Sequence, residues 1–347
     1  GIRRSMPTTF EQVVDALTPD LGQEMARQAT VSVLSRADLD PASLESEHLA
    51  DLAARLRAPL ATLLGTSRTE RIIDAIRRME QAPREARRGL RLLDVLTASV
   101  LLAAAVLAFG PWYHTVMTHT FFAMLKPVCL ITAAGASFMC YEYCPAASGT
   151  RRSWIGLGVG FALFAVGQSV LAFYQVDAEV HVPFPSVGDV FFVTSYLFLV
   201  PSLFSFALTT RASGLPLGRS LAYWSPALVV ALAYLAGLYP MLRPVLEAGS
   251  GWKETFLNIY YPTASFLVLA PSLVMLRVSL RFRGGRLRLV WAAIAAGFAL
   301  SLVSDVLFAY LTSETINSLL PMIDFLYLSG YLLIARGILL QFQLMEA

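Results

Sequence analysis

Asp189, Asp305, Asp324, Lys126 and Gln168 stand inside largely apolar runs of this 347-residue chain, and their types and spacing are the first candidates for chemistry. The stretch "VPFPSVGDVFFVTSYLFLV" (182–200) puts Asp189 seven residues before Tyr196, and "PMIDFLYLSGYLLIA" (321–335) repeats that interval from Asp324 to Tyr331. Seven residues are two helical turns, so each acid shares a face with its tyrosine. Asp305, Lys126 and Gln168 sit deep within other apolar runs. An ionised side chain in hydrocarbon is costly unless it faces a bundle interior and finds a partner. Lys126 is therefore expected to pair with Asp305, the acid nearest to it in depth. Asp189, Tyr196, Asp305, Asp324, Tyr331, Gln168 and Lys126 together form the expected ligand-binding cleft, open on the non-cytoplasmic side. Glu142, Asn258, Tyr260 and Tyr261 would add polar lining. The plainer reading of the Asp–Tyr pairs is a helix cap plus packing: Pro185 and Pro321 suit helix starts, and an acid in the first turn meets backbone N–H groups and the positive end of the dipole.

Other chemistries find less support. Cys140 and Cys144 are one helical turn apart, but no His or Cys pair accompanies them, so no metal site is expected. His114 and His119, five residues apart, read as structural interfacial residues rather than haem ligands. No nucleophile–base motif or Gly-rich phosphate loop occurs. The chain is expected to be non-enzymatic, without catalytic residues, metal or cofactor.

The elements that position these residues follow from composition. Hydrophobic residues make up 56% and charged residues 15%, against about 25% charged in a typical soluble domain. The charge is concentrated in residues 1–91. Beyond it lie eight apolar runs, 92–110, 116–140, 153–175, 187–209, 219–239, 255–280, 287–311 and 319–341, each near the length of about 20 residues that crosses a bilayer as helix. The expected fold is all-α: a polytopic membrane protein of eight transmembrane helices, 92–347, with a small helical domain at 1–83 and a basic linker at 84–91. No cleavable signal peptide is evident. Every second loop is basic, for example Arg151–Arg152 and the cluster Arg277, Arg281, Arg283, Arg286 and Arg288. Basic loops stay cytoplasmic, which places both termini there. In the N-terminal part, Thr8 and Glu11 have capping-box spacing, Ser43 or Ser46 opens a further helix, and Gly65 ends it. His48 reads as solvated surface. Four helices that dock a cytoplasmic protein partner are expected, with the lipid bilayer as the other partner. A homo-oligomer is left open, and nothing points to nucleic acid.

The runs also repeat. Shifted by 137 residues, Arg151, Trp154 and Gly160-Phe161-Ala162-Leu163 fall on Arg288, Trp291 and Gly297-Phe298-Ala299-Leu300, and Gln168 falls on Asp305. At 135 residues, Pro127 falls on Pro262, Asp189 on Asp324 and Tyr196 on Tyr331. Four runs separate the copies, so both have the same orientation: a parallel four-plus-four duplication, about 92–209 and 219–341.

Residues 150–340 resemble the multi-pass membrane sensor regions found upstream of GGDEF, EAL or histidine-kinase output domains in bacteria. The resemblance is carried by Gly167, Tyr174, Pro183-Phe184-Pro185-Ser186, Asp189, Tyr196, Asp305, Asp324, Gly330 and Tyr331. It implies stimulus sensing, with an undefined ligand. The chain departs from it in having Gly188 where alanine is expected, in a helical module ahead of the spans, and in lacking an output domain after Ala347. It would be a truncated receptor, or its output is the N-terminal module or a partner. A transporter or channel-like protein, or an accessory subunit of a membrane complex, is the alternative.

Overall fold

Twelve α-helices occupy the described residues of this computed structural model, which are 9–36, 49–78, 87–111, 116–144, 148–176, 184–213, 220–247, 251–280, 286–311 and 316–346. Four short helices come first: α1 (Thr9–Leu21), α2 (Gln23–Arg36), α3 (Leu49–Leu64) and α4 (Thr66–Arg78). Eight longer ones follow: α5 (Arg87–Phe109), α6 (Val116–Tyr143), α7 (Gly149–Val176), α8 (Val187–Ala212), α9 (Ser220–Glu247), α10 (Trp252–Leu280), α11 (Leu287–Leu311) and α12 (Ile316–Glu346). Six of these carry a stretch long and apolar enough to cross a membrane: Met117–Tyr143, Gly149–Val176, Val187–Ala212, Trp252–Leu280, Leu287–Ala309 and Leu320–Glu346. The expected first and fifth spans appear as shorter apolar segments, Leu93–Phe109 of α5 and Ala222–Gly237 of α9. Thr8, Ser43, Ser46, His48, Arg84, His114, Pro183, Arg281 and Arg283 lie outside the described residues.

Six long helices close a ring. α6 packs on α7, α7 on α8, α8 on α10, α10 on α11, α11 on α12, and α12 returns to α6. α5 lies outside against α12, and α9 outside against α10 and α11. Lipid tails are as apolar as these helices, so close backbone approach and polar contacts, rather than water exclusion, hold such a ring together. A Cβ at Gly297 would stand 2.6 Å from the Gly330 carbonyl oxygen, so α11 and α12 cross backbone to backbone. Gly160 plays the same part between α7 and α8, where a Cβ would stand 2.6 Å from Leu199 and 3.2 Å from the Ser195 carbonyl oxygen. Trp154 and Trp291, one from each side, both meet the Phe206 ring edge-on, at 4.8 and 5.6 Å.

The four short helices bury Val13, Leu17, Met25, Leu56 and Ile73. Gly22 and Gly65 turn the chain between α1 and α2 and between α3 and α4, both at φ 77°, a left-handed conformation that glycine adopts without steric penalty. Gly65 thus ends α3 where its sequence position predicts. Arg68 forks onto Asp20 at 3.1–3.3 Å, and Asp20 is fully enclosed. The unit docks on the ends of α6 and α12. Thr66 donates to the Tyr143 carbonyl at 3.0 Å, Gln341 to the Leu63 carbonyl at 2.9 Å, and Arg71 to the Glu346 carbonyl at 2.6 Å. Met345 packs against the bare Cα of Gly65.

One helix start differs from expectation. α12 begins at Ile316, so Pro321 lies within it and Asp324 is on its third turn rather than its first. Pro321 so near the helix start removes only the bond to the Asn317 carbonyl, which the helix survives. Asp324 therefore has no capping role and must find a side-chain partner.

Candidate functional site

Each ring helix contributes at least one polar side chain to the interior contacts: Lys126 from α6, Gln168 from α7, Asp189 and Tyr196 from α8, Tyr261 and Ser265 from α10, Asp305 from α11, and Asp324 from α12. On α8, Ser186 is the N-cap residue, in extended conformation (φ −111°, ψ 171°), and Asp189 is N3. The Ser186 N–H donates to Asp189 Oδ2 at 2.5 Å, and its Oγ donates to the same oxygen at 3.0 Å. The capping expected of Asp189 is thus present. Its other oxygen accepts the Tyr261 hydroxyl of α10, which no cap requires.

Lys126 of α6 pairs with Asp324 of α12, not with Asp305 as depth alone predicts. The cause is lateral order: α12 lies beside α6, whereas α11, which carries Asp305, is one helix further round. Lys126 is 4% exposed, so it stays inside and does not snorkel to the interface. Its Nζ also lies 5.9 Å from the centre of the Tyr327 ring. Asp305 finds hydroxyl partners instead: Ser265 of α10 donates to Oδ2 and Tyr327 of α12 to Oδ1 at 2.6 Å. Ser265 also bonds the Tyr196 hydroxyl at 2.8 Å. Gln168 of α7 donates to the Tyr331 hydroxyl at 3.2 Å.

All seven residues singled out from sequence therefore belong to one polar layer of the ring interior, about two helical turns deep from Asp189 and Asp324 to Tyr196 and Tyr331, with Gln168 and Asp324 partly exposed. Ser265 and Tyr327 escape the sequence reading, although a signal exists. Ser265 is one turn beyond Tyr261, and Tyr327 one turn before Tyr331, on faces already marked as inward. Of the expected extra lining, Tyr261 belongs to the layer and Tyr260 donates to the Val193 carbonyl at 3.0 Å. Asn258 is buried, with Oδ1 lacking a partner. Glu142 does not belong, because it lies exposed near the end of α6.

At the level of Tyr196 and Tyr331 the ring centre is packed with aromatic rings. Phe161 and Phe298 stack across the ring with centroids 6.4 Å apart and planes at 16°. Phe164 meets Tyr196 and Tyr331 edge-on at 5.7 and 5.6 Å. The void these rings enclose with Leu130, Leu199 and Ile334 has room for about one water molecule.

Chemically, the layer is a set of hydrogen-bonded acids and hydroxyls. Tyr196, Ser265, Asp305 and Tyr327 form a chain across α8, α10, α11 and α12. No group of three His, Cys, Asp or Glu side chains suited to a metal ion occurs among the described residues. Cys129, Cys140 and Cys144 are free and buried, in keeping with a packing role. What the layer does is tie helices together through partners that a change in charge would alter. No protein family, curated protein or solved structure matches the chain.

Proposed function

We propose that this chain is a non-enzymatic sensory or regulatory membrane protein, in which a cue acting on the buried polar layer is passed to the α1–α4 unit. The observation that carries this reading is the continuity of α12. Its 31 residues rise about 46 Å. One end supplies Asp324, Tyr327 and Tyr331 to the layer, and the other supplies Gln341, Met345 and the Glu346 carbonyl to the docked unit. A rotation or shift of α12 at the layer is therefore felt at α3 and α4. A stimulus does this only by binding two arrangements of the layer with different affinity.

The proposal includes eight spans, with α5 and α9 completing each half, and the parallel duplication. Several contacts support the duplication. α8 meets α10 as α12 meets α6, which is the pattern of two equivalent halves. Gly160 meets Leu199 and the Ser195 carbonyl, and Gly297 meets Ile334 and the Gly330 carbonyl, each partner shifted by 135 residues. Phe161 and Phe298, equivalent at 137, stack on each other as residues near a two-fold axis do. The residues before the paired prolines, Lys126 and Tyr261, each hold the other half's acid, Asp324 and Asp189. We place both termini, and a protein partner on the α1–α4 unit, on the cytoplasmic side on the strength of the basic loops, and the protein in a bacterial inner membrane on the strength of its resemblance to bacterial sensor regions. The transport alternative gains nothing from the filled ring centre.

Hydrogen exchange of the full chain in lipid nanodiscs tests the coupling. Lys126→Met and Asp305→Asn are each expected to raise amide exchange at 60–72 and 338–346, far from either substitution. Unchanged protection there in both variants, with exchange altered only around the layer, would refute transmission through α12.

A further inference from the structure

The two halves of the polar layer differ in charge. In one, Lys126 places an ammonium against Asp324. At the equivalent place in the other stands Tyr261, a neutral phenol, against Asp189. Asp305 occupies the position equivalent to Gln168, so this second half has gained an acid as well as lacking the lysine. Neither Asp189 nor Asp305 has a basic side chain within ion-pair distance among the described residues. Both are about nine-tenths buried, at 8% exposure. A buried carboxylate without a compensating positive charge is strongly unfavourable.

A second observation marks the same place. Asn258 is 7% exposed, and its Oδ1 accepts no hydrogen bond from the described residues. Asn258, Tyr261 and Ser265 follow one another at three and four residues, so they form one stripe of α10. Two members of that stripe donate to Asp189 and Asp305. Pro262 adds a further acceptor, because it has no N–H for the backbone carbonyl of Asn258. This is a group of oxygens that lacks a positive partner.

We infer that Asp189, with the Asn258 side chain and its freed backbone carbonyl beside Tyr261, binds a monovalent metal cation, which supplies to this half the positive charge that Lys126 supplies to the other. Oxygen donors suit a hard cation, and the Asn258 carbonyl, one turn before Pro262, lacks its helical N–H partner. A single charge fits better than two. The Ser186 N–H and the positive end of α8 already offset part of the Asp189 charge. The third carboxylate, Asp324, is committed to Lys126.

The comparison of Lys126 with Tyr261 rests on the duplication proposed above, whereas binding itself can be measured without any signalling readout. Thermal unfolding of the purified full chain in detergent is followed while choline chloride is replaced by sodium or potassium chloride at constant ionic strength. For a cation reaching about ten times its dissociation constant, the midpoint is expected to rise by about 2 °C and to saturate. Asn258→Ala should weaken apparent affinity several-fold. Tyr261→Lys supplies the positive charge within the chain, so its midpoint should no longer respond to either salt. Equal midpoints in choline and in both alkali salts would overturn the proposal, as would a response to magnesium alone or to lowered pH alone. A full salt response in Tyr261→Lys, or an unchanged one in Asn258→Ala should the lysine variant not fold, would overturn it too. Failure here leaves the α12 coupling to its own exchange experiment.

Discussion

Lys126→Met is the perturbation that separates the observed pairing from the one depth alone suggests. The side chains of Lys126 and Asp324 are 5% and 14% exposed, so removing the lysine leaves Asp324 charged and nearly buried. An unpaired acid at the centre of a membrane helix costs about 3 kcal/mol, and breaking a buried ion pair from one side costs about 3–5 kcal/mol. The slight exposure of Asp324 favours the lower figure. Asp324→Leu alone strands the ammonium at a similar cost. The double variant removes both charges from an apolar environment and should recover most of the loss, since replacing a whole buried pair by apolar residues is often near neutral. With about 3 kcal/mol for each single and about 1 kcal/mol or less for the double, the expected coupling between the two positions is about 5 kcal/mol. The parallel cycle of Lys126→Met with Asp305→Asn should couple by under about 1 kcal/mol, because those residues meet only through the Tyr327 ring. Reversible unfolding in mixed micelles measures both cycles. Strong coupling to Asp305 with additivity at Asp324 would refute the reasoning, as would a double variant as unstable as the sum of the singles.

Two further outcomes follow from packing. Gly297→Ala should destabilise by about 1–3 kcal/mol, because its Cβ meets the Gly330 backbone carbonyl, which cannot rotate away. Gly135→Ala, with nothing within 4 Å of its Cβ, should be neutral or stabilising by up to about 1 kcal/mol; the same unfolding assay compares them. Cys129, Cys140 and Cys144 are all buried, so the folded chain should take up no maleimide within minutes and three equivalents after denaturation. Rapid labelling of the folded chain at Cys140 would contradict its enclosure.

Much of the outline is legible along the chain, because it depends on local chemistry. Apolar runs become long helices since backbone groups in hydrocarbon must bond within their own segment. Acids inside those runs face the ring interior and its polar partners for the same reason of cost, and Gly65 turns left-handed because a glycine there meets no Cβ penalty. Asp189 caps α8 because its partners are three residues away. What linear order does not contain is the lateral arrangement. α7 is apolar around nearly its whole circumference, so no helical period says which side meets α8 and which the ring centre. The choice of Asp324 over Asp305 for Lys126, the hub at Ser265 and the stacking of Phe161 on Phe298 all depend on which helix stands beside which. Backbone approach at glycines decides that, and only the packed ring expresses it, because a contact across helices needs neighbour and depth to agree at once.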